Sequence, residues 1–141
     1  MGISRRHLTA LLPLLTAGAI PSAKAQKLNL PSKTYVFEDL PVKQNGPNSS
    51  RAIMNGANHS GVFVEMHFTE LGPGMAPHPP HRHVHEEIVI VKEGTLTITI
   101  DDVVTKAAKG DIVYAASNEM HGWVNKTEGK TAYYVIALGK D

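Results

Sequence analysis

From Thr95 to Ile100 the chain alternates without fault, with Thr95, Thr97 and Thr99 on one side and Leu96, Ile98 and Ile100 on the other. A period of two is the signature of a half-buried β-strand. Similar runs recur along the chain. Thr34 to Leu40 is a candidate strand, and Val62 to Leu71 is another, with Val62, Val64, Met66 and Phe68 on one face. Glu87 to Glu93 is dense in β-branched residues. An Asp101-Asp102 turn leads into Val103 to Ala108, and Asp111 to Ala115 and Thr131 to Leu138 complete the set. Gly94, Gly110 and Gly129 punctuate these runs, and no amphipathic stretch of helical length follows residue 26. Residues 41–61 (PVKQNGPNSSRAIMNGANHSG) are rich in Pro, Asn, Gly and Ser and read as loop, with at most one short strand near Arg51 to Met54. About eight to ten short strands in one small domain predict an all-β antiparallel sandwich or barrel.

The first 26 residues follow different rules. MGISRRHLTALLPLLTAGAIPSAKAQ has a basic start, an apolar middle and a small-residue end at Ala23-Lys24-Ala25. That is the layout of a secretory leader, with cleavage expected after Ala25. The apolar run is broken by Pro13 and too short to span a bilayer, so no membrane anchor is expected after cleavage. Ser4-Arg5-Arg6-His7-Leu8 also resembles the twin-arginine export signal, whose substrates cross the membrane already folded. The domain layout is then residues 1–25 as leader, 26–61 as an N-terminal strand and loop arm, and 62–141 as the barrel, in a periplasmic or secreted protein.

Removing the leader changes the charge. The remaining chain holds 11 basic and 13 acidic residues, a balance of −2. No basic patch with interleaved aromatics is present, so nucleic acid is not an expected partner. The chain has no cysteine, which excludes disulfides, thiolate metal sites and cysteine nucleophiles. Roughly 115 residues suffice to bury a core without such staples.

The chemistry concentrates in HPPHRHVHEE, residues 78–87, which packs four histidines and two glutamates into ten positions. Such a cluster can be a surface accident, a pH sensor or a metal site. If His81 and His83 open a strand, side chains two apart share a face, so both imidazoles project inward and Arg82 projects away. Glu87 offers a carboxylate four positions on, and His121, in GDIVYAASNEMHGWVN, is the candidate distant donor.

These residues resemble the two motifs of the cupins, commonly written G-x5-HxH-x3,4-E-x6-G and G-x5-PxG-x2-H-x3-N. HRHVHEEIVIVKEG supplies His81-x-His83, three residues, Glu87, six residues and Gly94. Gly110, His121 and Asn125 stand at full spacing in the second motif, with Ala116 and Asn118 in the Pro and Gly places. Asn tolerates a left-handed backbone better than most residues, so that turn can survive. Gly74 lies one residue too far from His81, which alters only the loop before it. The resemblance covers roughly residues 62–138 and implies a jelly-roll β-barrel in which His81, His83, Glu87 and His121 coordinate one divalent metal. Three neutral imidazoles and a carboxylate suit Mn, Fe, Co, Ni, Cu or Zn, and an octahedral ion so held keeps two positions open. Mn or Fe is favoured if the barrel closes before export.

The resemblance implies a metalloenzyme acting on a small organic molecule. Dioxygenase chemistry is the first expectation, with isomerase, lyase or decarboxylase chemistry behind it and a non-catalytic metal- or ligand-binding protein as the alternative. A residue able to move protons is harder to find. Glu86, His85 and Tyr114 are weak candidates, since Glu86 reads first as a solvated surface acid and His85 as a rim or supporting residue. Tyr114 and Trp123 read as core or rim, and Asn125 as structural. His67, on the Phe63, Glu65 and Thr69 face, reads as structural too, His78 as solvent-exposed, and His59 carries no signal. A homodimer is expected, on the strength of the N-terminal segment and the apolar run TAYYVIAL.

Overall fold

The computed structural model describes residues 29–139. The expected leader, residues 1–25, lies outside the described residues. Nine strands form two sheets among them. In chain order the strands are β1 (Val42–Asn45), β2 (Asn48–Ala57), β3 (Phe63–Leu71), β4 (Glu86–Glu93), β5 (Thr95–Ile100), β6 (Val103–Ala108), β7 (Ile112–Ala115), β8 (His121–Val124) and β9 (Thr131–Leu138). One sheet has the order β1-β2-β3-β9-β4-β7 and the other β6-β5-β8. Every strand pair within them is antiparallel. The all-β antiparallel expectation holds.

Two stretches depart from the sequence reading. Residues 41–61, expected as loop, supply β1 and a ten-residue β2. Ser, Asn and Gly give β2 little strand propensity of its own, but it pairs with β3 at eight positions, and tertiary pairing overrides local preference. Conversely, Thr34 to Leu40 forms no strand; Phe37–Asp39 is a single 3-10 turn. The Phe37 ring stands edge-on to Phe68 with centroids 4.9 Å apart. The Arg51 guanidinium donates to the carbonyls of Leu40 (2.7 Å) and Phe37 (3.3 Å). This segment is a cover over the outer face of the larger sheet.

Alternation decides what enters the space between the sheets. On β4 the buried set is Glu87, Val89 and Val91, and on β9 the row facing it is Tyr133, Val135 and Ala137, with Thr131 and Ala132 also buried at the strand's start. Register places Glu87 opposite Ala137, Val89 opposite Val135 and Val91 opposite Tyr133. On the far side of β9 these rows continue as Glu65, His67 and Thr69 of β3. The inner face of β3 is therefore Glu65-His67-Thr69-Leu71, and the apolar set Val64, Met66 and Phe68 faces outward. From the smaller sheet, Leu96 and Ile98 point in and are buried. Leu71, Val89, Val91, Leu96, Ile98, Ala107, Trp123, Tyr133 and Val135 form one core cluster. This core fills the barrel below Glu87 and leaves the opposite end polar.

Two turns fix the frame. Gly94 joins β4 to β5 at φ 74°, and a Cβ there would lie 2.7 Å from Thr131 Oγ1. The side chain of Asn125, fully buried, donates to the carbonyls of Leu71, Gly72 and Gly129 and accepts from the backbone and hydroxyl of Thr127. It ties the end of β3 to the β8–β9 connection, the structural role its position suggested.

Candidate metal centre

The polar end of the barrel gathers side chains from three elements. Glu87 comes from β4 and His121 from the start of β8. His81 and His83 do not open a strand, as the sequence reading had it; they precede β4, and Pro79 and Pro80 hold the chain off the sheet. A single bridge nonetheless fixes them, because His81 and His121 exchange backbone hydrogen bonds of 3.0 and 2.9 Å. Asn118 sits at φ 64°, the left-handed turn its chemistry allows, and its backbone N–H donates to the His83 carbonyl at 2.8 Å. The second-motif turn thus clamps the first-motif loop. Gly122 permits the close fit, since a Cβ there would meet Pro80 at 3.1 Å.

One ring nitrogen each from His81, His83 and His121 lies within 4.8 Å of the others. Glu87 faces the same point: its Oε2 is 3.3 Å from His121 Nε2 and its Oε1 is 3.6 Å from His83 Nε2. The other nitrogens are already engaged. His83 Nδ1 lies 2.8 Å from the His85 carbonyl and His121 Nδ1 2.9 Å from the Glu119 carbonyl. A carbonyl can only accept, so both rings carry their proton on Nδ1 and present Nε2 as a lone pair. His83 Nε2, His121 Nε2, His81 Nδ1 and Glu87 Oε2 are buried and have no hydrogen-bond partner. Four buried atoms without partners, on residues shared between two overlapping three-donor groups, are costly unless an ion satisfies them. The residues fit a divalent metal. The His81 imidazole is held below its ordinary value, mainly by burial and then by His78, His121 and His83, against the pull of Glu87; the neutral ring is the ligating form.

Of the other candidates, His85 belongs here and two do not. His85 Nε2 lies 3.5 Å from Glu87 Oε1, its ring stacks on His83 with centroids 3.5 Å apart, and His83, His85 and Glu87 form a second three-donor group. Glu86 alternates to the outer face beside Tyr114, whose hydrogen bond to Glu86 raises the phenol above its ordinary range. Neither reaches the donor cluster, because residues adjacent in a strand point to opposite faces. His78 is exposed, yet its ring packs edge-on to His81 at 4.2 Å.

Sequence reasoning missed the neighbouring cavity. A space of about 320 Å³ opens on the inner face of β1, β2 and β3, lined by Lys43, Asn48, Ser50, Glu65, His67 and Thr69 among others. The only signal in the sequence was the alternation of polar residues along β3, opposite its apolar set.

Residues 67–137 match the family described as "Cupin domain". A pectin degradation protein, KdgF, of Dickeya dadantii (strain 3937) is 28% identical over 96 residues, which is 67% of this chain and 83% of that protein. Among solved structures, KdgF from Halomonas sp. superposes with a TM-score of 0.66 at 14% identity, over 77% of this chain and 96% of that one. The polyketide cyclase RemF from Streptomyces resistomycificus superposes with a TM-score of 0.64 at 19% identity, over 77% of this chain and 80% of that one.

Proposed function

This chain belongs to the cupin domain family, and from that premise we propose that it is an exported mononuclear metalloenzyme acting on a small, oxygen-bearing organic molecule. One observation carries the proposal: the four partnerless buried donor atoms of His81, His83, Glu87 and His121. Export rests on the three-part layout of residues 1–25. An ion held there supplies a Lewis acid with room for substrate oxygens. The protein supplies the rest. The carbonyls of His85 and Glu119 fix the tautomers of His83 and His121, so the imidazoles meet the ion preorganised. Glu87 brings one negative charge into the cluster. The apolar core beneath it, from Val89 to Tyr133, excludes water from that side.

Proton-transfer chemistry of the isomerase or cyclase kind now ranks above the dioxygenase expectation. The similarity to a pectin degradation protein favours a sugar-derived molecule, and the Lys43, Asn48, Ser50, Glu65, His67 and Thr69 side chains lining the cavity suit a hydroxylated one. Elemental analysis of protein recovered from its native compartment tests the first half: one ion per chain supports it, and none refutes it. Turnover on a panel of sugars, hydroxy acids, diketones and phenols, with and without dioxygen, tests the second. Conversion that needs dioxygen restores the dioxygenase reading, and metal binding without any conversion makes the protein a binding module.

A further inference from the structure

The cavity on the inner face of β1, β2 and β3 is lined by none of the donor residues but opens into the same barrel interior. His67 stands between the cavity and those residues. Its β3 position is in line, across β9, with Val89 of β4, two residues beyond Glu87. Two strand spacings, about 10 Å at the backbone, separate the two strands, and both side chains point into the same interior. The charges of Glu87 and His78 reach the ring of His67, which also lines the cavity. Its Nδ1 is 3.8 Å from Glu65 Oε1, and the other oxygen of Glu65 accepts from Asn55 Nδ2 at 3.2 Å. At 3.8 Å the Glu65 carboxylate is a charge beside the ring and not a hydrogen-bond partner; its field favours the proton on Nδ1 and with it Nε2 as the basic nitrogen. The remaining lining is mixed: Ser50, Thr69, Asn48 and Lys43 offer hydroxyl, amide and ammonium groups, and Ala52, Leu71 and Pro77 are apolar.

We propose that this cavity is where the substrate binds, that its substrate class is a small hydroxylated carbonyl compound, and that His67, positioned by Glu65, is the residue that moves its proton. The proposal rests on the metalloenzyme reading above and extends it. The step needs no oxidant. The C–H bond next to the carbonyl breaks, its electron pair remains on the substrate as the enolate, and the proton passes to His67 Nε2. Return of a proton to the same carbon gives exchange; return to the former carbonyl carbon, with the hydroxyl proton passing to the former carbonyl oxygen, gives isomerisation. Burial lowers the basicity of His67, as does His78, while Glu65 and Glu87 raise it; the net effect is downward, so the ring is the free base at neutral pH. Lys43, on the cavity wall, is the remaining charged group facing it.

The experiment follows deuterium uptake by dihydroxyacetone, glyceraldehyde and hydroxypyruvate in D2O, using the full chain loaded with Zn and the metal-free chain as blank. The native protein is expected to exchange the protons next to the carbonyl of at least one probe. His67→Asn should lose exchange by about 100-fold or more, the usual range for a removed general base, with metal content and Tm unchanged. Glu65→Gln should retain exchange and move the acid limb of its pH profile to lower pH, because the larger of the two charges that raise His67 is gone. Exchange in His67→Asn at the native rate overturns the assignment, as does its absence for all three probes in the native, metal-loaded chain. Failure of the chain to bind metal refutes the metalloenzyme reading instead, so the two failures are distinct. If His67→Asn does not fold, His67→Gln takes its place with the same criteria.

Discussion

His83 belongs to both three-donor groups, one with His81 and His121 and the other with His85 and Glu87. Removing it therefore breaks each set, whereas removing His85 breaks one and leaves His81, His83, His121 and Glu87 in place. The consequence is measurable as metal-dependent stability. At a free metal concentration one hundred times Kd, a ligand that binds only the folded state adds about 2.7 kcal/mol. For a domain of roughly 110 residues that is on the order of 10 °C in Tm. Loss of 100-fold in affinity on His83→Ala leaves only about 0.4 kcal/mol at the same concentration, or one to two degrees. His85→Ala, expected to cost about tenfold, keeps about half of the native shift. The assay is thermal unfolding of each variant with and without Zn or Mn, always comparing a variant with its own metal-free form. That subtraction removes the packing cost of truncating a side chain that is only 8% exposed. A native-sized shift in His83→Ala refutes the reasoning, and so does a shift lost in His85→Ala but kept in His83→Ala.

Asn125→Ala should cost on the order of 3 kcal/mol, since the buried carbonyls of Leu71 and Gly72 and the backbone N–H of Thr127 all lose their partner; an unchanged urea midpoint would argue against that role. Gly94→Ala combines a positive φ with a contact of 2.7 Å to Thr131 Oγ1 and should also lower the midpoint, with no change in metal stoichiometry. Acid should destabilise the metal-free protein: His67 and His81 are held below the ordinary value of 6.5, burial being the largest cause in both. The unfolded chain then binds more protons as pH falls below 6.5, so stability drops there and levels off once the folded values are passed; equal urea midpoints at pH 7.5 and 5 would contradict this. The run TAYYVIAL, expected to pair two copies, is β9, an interior strand of its sheet, so a dimer should pair instead on the edge strand β7, where Ile112 and Tyr114 leave 68% and 52% of their surface exposed. Light scattering should then show a dimer in the native protein and a monomer in Ile112→Lys, and a native monomer would end the idea.

The candidate donor residues were legible in the sequence through the resemblance to the two cupin motifs, whose fixed spacing reflects backbone geometry. Three residues from His83 to Glu87 and six from Glu87 to Gly94 describe a loop entering a strand and that strand's length, and these hold whatever the neighbouring sequence does. The strand at Thr95 to Ile100 was legible from its alternation, since its outer face meets water and its inner face meets the core. β2 was not. It carries a register irregularity between Ala52 and Met54, so even its period is broken, and what makes it a strand is β3 beside it.

β3 shows why the cavity escaped notice. A strand with Val64, Met66 and Phe68 on one side normally buries that side. Here Phe68 is buried by another route, under Phe37, against Tyr134 at 5.0 Å and beneath the Lys92 ammonium. The cover comes from Phe37–Asp39, a segment whose own pattern suggested a strand. The opposite side of β3 is free to be polar because it faces a cavity and not a packed core, and Glu65, His67 and Thr69 occupy it. Hydrophobic alternation reports which face of a strand is dry; it does not report which face is inside. In a barrel that must hold a core at one end and a polar molecule at the other, those two questions have different answers. That is why the candidate donors were legible through the motif resemblance and His67 only by tracing register across β9.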